Sequence, residues 1–423
     1  MSRYPGWSLL VLVLVGGLVV GGAPGVLAQD QTDLDRIAAG TAAVRELPLK
    51  HEVVEKLLTQ EELAKQVPEM IREDYPTDQA VADSRAWAAF GLVPEGTDLQ
   101  ALYGKLLAEE VAGYYDPETD EMYVISGGTF GPLEEYTYSH EMVHALQDQD
   151  LGLSEIIDAV ASRSDDGSLA LTSLYEGDAM AGSIAYVLAN PALAVQIVLA
   201  PGTETPLLET APPVMTIWFL FPYVGGQPFV EALRAAGGWD AVDAAYKDPP
   251  VSTEQIMHPE KYIERDDPTT VKLPDLGRTL GAGWSVVDEN TVGELQTAVL
   301  LANLKPGQGL NMTMGTLELP EPAMNAAAGW DGDQYALWGK GDQEVLAWQS
   351  VWDSEQDAVA FSRALAGYDE SRFGGQYVGT TADAVRLTTT GHVARIERSG
   401  TEVRYVLAAN GTLADQVMGV LGG

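Results

Sequence analysis

The chain has 423 residues, 46% of them hydrophobic and 20% charged, which is enough for two ordinary domains with cores of their own. It contains no cysteine, so disulfides, thiolate metal sites, a cysteine nucleophile and cysteine lipidation are excluded, and any metal must rest on His, Asp or Glu. With 24 basic against 62 acidic residues the formal charge is -38; a surface of that sign repels nucleic acid and anionic membrane, and neither is an expected partner.

The N-terminus reads Met1-Ser2-Arg3, then an apolar run from Trp7 to Val20, then Val26-Leu27-Ala28 before Gln29, which is the order of a secretory signal peptide over residues 1–28. An uncleaved N-terminal membrane anchor is the alternative, because the run approaches the roughly 20 residues that a spanning helix needs. The expected location is secreted or in the extracytoplasmic cell envelope, with no other membrane contact.

Helical patterns follow over Leu49 to Leu58, Thr59 to Glu73, Thr77 to Phe90 and Leu99 to Val111, with Thr59 and Glu62 as a capping box. Tyr114 to Ile125 switches to strand, turn, strand, with Asp116-Pro117 opening the turn. A helix starting near Leu133 carries Ser139-His140-Glu141-Met142-Val143-His144-Ala145-Leu146-Gln147-Asp148. The next, Asp166 to Leu188, carries Leu174-Tyr175-Glu176-Gly177-Asp178-Ala179. A proline-rich connection, Pro201 to Pro213, leads to a helix near Val230 to Ala236 and then to a loop and short helix ending at Met257-His258-Pro259.

Beyond Asp267 strands and turns dominate. The pattern predicts a hairpin of Gln334 to Trp338 with Glu344 to Trp352, a helix Ser354 to Ala366, a pair Val393 to Arg398 with Glu402 to Leu407, and a last helix Leu413 to Leu421. Alternation places Trp330, Trp338, Trp348 and Trp352 in the hairpin core. The expected fold class is α+β: a mostly helical domain with a small sheet at 29–266, then a smaller α+β domain at 267–423.

Four residues apart on a helix, His140 and His144 can aim their imidazoles at one ion. Glu141 beside them cannot comfortably join the same tetrahedron, yet it can reach a water on the metal. Zinc lowers the pKa of that water toward roughly 7, so Glu141 can take its proton and later give one to the departing amine. Tyr136 to Ser139, Met142, Val143, Ala145 and Leu146 are uncharged, as a buried metal helix requires. A catalytic zinc takes three protein ligands and one open position. Glu176 is the preferred third ligand, 32 residues after His144, which leaves room for a loop and a returning helix. Asp150 stands where a downstream third histidine would, but Gln147 occupies the place of the turn-forming glycine that arrangement needs. Tyr223 and His258 are candidates for stabilising an oxyanion.

The run His140 to Gln149, followed by Tyr175-Glu176-Gly177-Asp178-Ala179, resembles the gluzincin-type HExxH zinc metallopeptidases, especially uncharacterised bacterial exported proteins. Val111 to Pro117 and Ser252 to Tyr262 resemble the same group, so the likeness covers about residues 50–265 and continues more weakly through Gly329 to Tyr335. It implies a zincin fold with an active-site helix, a glutamate-bearing helix and a small sheet whose edge strand binds extended substrate; Glu121 to Ser126 is the candidate strand. Many gluzincins place an Asp four residues after the ligand Glu to hold a ligand histidine. Here that position is Met180, and Asp148 and Asp178 are the candidate orienting carboxylates. The expected function is zinc-dependent hydrolysis of peptide or protein substrates. The alternatives are an inactive binding protein of the cell envelope and a zinc amidohydrolase of the cell wall.

Overall fold

The N-terminal half is built from helices whose ends are written locally: α1 (Gln31–Arg45), α2 (Gln60–Asp74), α3 (Thr77–Phe90) and α4 (Leu99–Glu110). At the head of α2 the Thr59 hydroxyl accepts from the Glu62 N–H while the Glu62 carboxylate accepts from the Thr59 N–H, so two otherwise orphaned donors are satisfied reciprocally. Asp98 caps α4 by accepting from the Ala101 N–H. This computed structural model describes residues 11–14, 31–117, 119–125, 130–160, 163–199, 210–305, 311–313, 316–381 and 383–422. Most of the expected signal segment, Ser126, and most of the Pro201 to Pro213 connection lie outside them.

A small sheet has the order β1-β3-β4-β2, with β1 (Val11–Leu14), β2 (Val54–Leu58), β3 (Val111–Asp116) and β4 (Glu121–Ile125). Leu49 to Leu58 is therefore not the expected helix. Its second half is β2, which pairs in parallel with β4, and that partner lies too far along the chain for a local pattern to reveal. β3 and β4 form the expected hairpin, and β1 lies antiparallel on the other side of β3.

Three further helices follow, α5 (Pro132–Leu151), α6 (Leu153–Val160) and α7 (Asp165–Ala189). α5 packs on β3, β4 and α7, and the helices Pro213–Val224 and Gly226–Gly237 close over α7. The first of these starts where a linker was expected. Proline at its first position is pre-set for a helix, and its run Val214 to Phe219 is buried throughout. α7 and the Gly226–Gly237 helix cross so closely that a Cβ on Gly177 would overlap the Gly226 carbonyl, and only glycine lets α7 seat at this depth. Among the described residues no single helix is long and apolar enough to cross a membrane.

The C-terminal part is an antiparallel seven-stranded sheet. Along the strand Gln343–Trp352, Leu346 and Trp348 face the Glu355–Phe373 helix, while Val345 and Ala347 face the Gly411–Leu421 helix, so the period of two feeds two cores. Trp330, Trp348 and Trp352 are fully buried, as their alternation predicts. The fold is α+β. Packing runs continuously across residue 267: Leu295, Ala298 and Val299 sit in the core of the helical part, and Ala86 and Phe90 of α3 sit in the core of the sheet part.

Three carboxyl groups gather at that seam. The Tyr75 hydroxyl donates to Asp83 and the Tyr335 hydroxyl to Asp288, while the Asp165 N–H donates to Asn290. Burial, then the nearby Asp165 and Asp288, push Asp83 up to about 8; burial and Asp288 push Asp165 up to about 7; burial also raises Asp288. These groups hold protons more tightly folded than unfolded. Their contribution to stability is thus complete below the unfolded carboxylate pKa of about 4 and is lost as pH rises through the folded values. The thermal midpoint should fall by roughly 5 °C or more between about pH 5.5 and 8.5, with a shallower fall in Asp83→Asn. A midpoint that rises over this range in calorimetry would contradict the cluster's role.

Candidate metal centre

α5 carries His140, Glu141 and His144, and all three are fully buried. α7 brings Glu176 to them. Glu176 Oε2 lies 3.2 Å from His140 Nε2 and 3.4 Å from His144 Nε2, and the imidazole centroids are 4.8 Å apart. One ligand atom from each of the three residues falls within 4.8 Å of the others, so the group could hold a metal ion. Zinc bonds of about 2.0–2.1 Å at tetrahedral angles would set donor atoms roughly 3.3 Å apart, close to the two spacings found.

Charge and hydrogen bonding fit the same conclusion. His144 Nε2 is buried and makes no hydrogen bond, an orphan that a cation would satisfy. Burial lowers His140 to about 4, which keeps the imidazole neutral, as a ligand must be. Burial would raise Glu176, but the adjacent His144 and His140 hold it below the usual carboxylate range.

Glu141 faces β3. A Cβ on Gly113 would meet Thr137 Cγ2 at 2.7 Å and Glu141 Oε1 at 3.3 Å, so glycine is what lets this strand run against the carboxylate. β3, not β4, is thus the strand that borders the site. The expected edge, Glu121 to Ser126, fails because β4 is hydrogen-bonded on both sides, to β3 and to β2.

The outer partners of the histidines differ from expectation. Gln147 Oε1 lies 2.8 Å from His144 Nδ1, and Gln147 Nε2 donates to the Tyr175 carbonyl at 2.9 Å and to Asp178 Oδ2 at 3.0 Å. Because the amide nitrogen is spent on those two acceptors, its oxygen must accept from His144 Nδ1–H, leaving the Nε2 lone pair toward Glu176. Asp178 is held in turn by Arg45 at 2.6 and 3.1 Å and by the Tyr246 hydroxyl at 2.8 Å. It therefore orients the histidine at one remove. Asp148 does not orient it: its carboxylate accepts from Tyr115 and Ser154 instead, fastening the head of α6.

Gln147 stands three residues after His144, one turn along the same helix face, and that spacing was the available signal for its role. Gln147→Ala should weaken metal binding about 10- to 100-fold. Gln147→Glu keeps the acceptor for His144 but sets its second oxygen against the Tyr175 carbonyl and Asp178, so it should weaken binding as well. Competition against a chromophoric chelator measures this, and an unchanged affinity in Gln147→Ala would remove the relay.

Of the two oxyanion candidates, Tyr223 is at the site, its ring centroid 6.3 Å from that of His140 and its side chain buried. Tyr175 lies similarly beside His144, at 6.1 Å. His258 is elsewhere. Its Nε2 contacts Glu294 at 3.0 Å, and Thr253, in the short helix just before it, bonds to Asp166. Asp166 precedes Glu176 by ten residues, about 15 Å along α7. Asp150, the lesser ligand candidate, pairs with Lys50 at 2.8 Å.

Residues 279–418 match a family model described as a domain of unknown function (DUF8575). No curated protein and no solved structure matches the chain. The matched stretch begins well after His140, His144 and Glu176 and spans most of the large sheet, so it assigns no role to the metal centre.

Proposed function

We propose that the chain is an exported zinc metallopeptidase. The observation that carries this reading is the convergence of His140, His144 and Glu176 on one point, with Glu141 buried on the same helix. The resemblance of the His140 to Gln149 and Tyr175 to Ala179 segments to gluzincins supports it, and so does the close passage of β3 beside the Glu141 carboxylate. The N-terminal signal pattern supports an extracytoplasmic location.

Zinc held by the three ligands would supply Lewis acidity, lowering the pKa of a water toward roughly 7 and polarising a peptide carbonyl. Glu141 would take a proton from the attacking water and return one to the amine nitrogen of the leaving group. Tyr223 donates a hydrogen bond to the oxygen on which charge develops. Removal of the expected signal segment 1–28, which includes Val11–Leu14, would free the outer edge of β3, and a peptide of almost any sequence would then pair there in the antiparallel sense that Val11–Leu14 adopts.

Metal analysis of the purified chain together with a peptide-library digest tests this reading. Stoichiometric zinc and chelator-sensitive cleavage are expected. Bound zinc with no turnover would favour the inactive binding protein, and a chain that takes up no metal would sink both.

A further inference from the structure

A cavity of about 70 Å³ opens beside the metal ligands, between α2, α4, α7 and the Pro213–Val224 helix. Its walls include Tyr103, Leu107, Tyr175, Trp218, Phe219 and Tyr223, with Glu176 contributing on the metal side. Tyr175 and Tyr223 are the two rings that stand against the imidazoles, so the cavity and the metal centre share a wall. Tyr103 packs edge-on to Phe219 at 6.1 Å and Trp218 packs on Trp87 at 5.5 Å, so those walls are braced from behind.

We infer that this cavity is a specificity pocket that receives an aliphatic side chain of valine to leucine size, next to the scissile bond. The inference rests on the metallopeptidase reading and names its substrate class. Size sets the upper limit: the volume is roughly half the about 150 Å³ of an apolar cavity that holds a benzene ring, so a phenyl group does not fit. Polarity sets the rest. A charged side chain would lose its hydration among aromatic rings, and Asp74, also on the wall, adds repulsion against acidic ones. A glycine or alanine would leave the space unfilled and forgo the apolar contact. One methylene in such a pocket is worth about 10- to 200-fold in discrimination.

The test uses the full chain carrying Glu141→Gln and loaded with zinc, titrated in a calorimeter with N-capped amino-acid hydroxamates bearing Gly, Ala, Val, Leu, Phe, Lys or Asp side chains. Val or Leu should bind about 10- to 200-fold tighter than Gly, Phe and Asp, and Phe219→Ala should move the optimum to Phe. Equal binding across the series, or tightest binding by Lys, Asp or Phe in the unaltered pocket, overturns the assignment. Should Phe219→Ala fail to fold, the unaltered series decides alone. Peptides with the same side chains, given to the unsubstituted chain, separate the two claims: selective hydroxamate binding without cleavage supports the pocket and refutes the peptidase.

Discussion

Replacing Glu141 by glutamine is expected to slow peptide hydrolysis by about 10²- to 10⁴-fold while zinc content stays stoichiometric. Glutamine keeps the shape of glutamate between α5 and β3, so the strand at Gly113 can still run against it. It cannot accept a proton, and the step that activates water is lost. Because neither imidazole nor Glu176 is altered, metal and substrate should still bind, and the loss should appear in kcat with little change in KM. A Glu141→Gln chain that hydrolyses peptides at the unsubstituted rate would remove Glu141 from the chemistry.

The second large effect concerns stability. Arg45 is fully buried, its guanidinium on Asp178 and Asp243 and stacked 4.3 Å over the Trp239 ring. Although burial opposes its charge, the Asp178 carboxylate and the hydrogen bonds to it hold Arg45 above its ordinary value. Arg45→Met leaves Asp178 charged with no counter-ion in the interior, a change that costs about 3–5 kcal/mol. Denaturant unfolding of the metal-free chain reads this directly. Arg45→Met combined with Asp178→Asn should lose less than Arg45→Met alone, because the stranded charge is gone. A loss below about 1 kcal/mol in the single variant would mean that the buried pair is not what secures α1 to α7.

Local pattern made much of the helical frame legible. The capping box at Thr59, the α3 span and the α7 span lie within a residue or so of where periodicity and end signals put them. His140 and His144 share a face simply because helical geometry repeats, and the spacing of 32 residues from His144 to Glu176, room for a loop and a returning helix, singled out Glu176. Those features depend on interactions within a few residues, and a short window contains them.

Tertiary structure decided the remainder. Val54–Leu58 became a strand through parallel pairing with β4, and that pairing covers the β4 edge that was expected to bind substrate. Asp178 reaches His144 only through Gln147, and it is neutralised by an arginine from a helix near the other end of the domain. Tyr223 arrived at the imidazoles on a helix hidden behind a proline-rich stretch, whereas His258 went to Glu294. Each outcome is a contact between segments distant in the chain, whose free energy exists only once the intervening residues have packed. The sequence by itself determined which side chains could do metal chemistry and on which helix faces; the folded packing determined which of them meet.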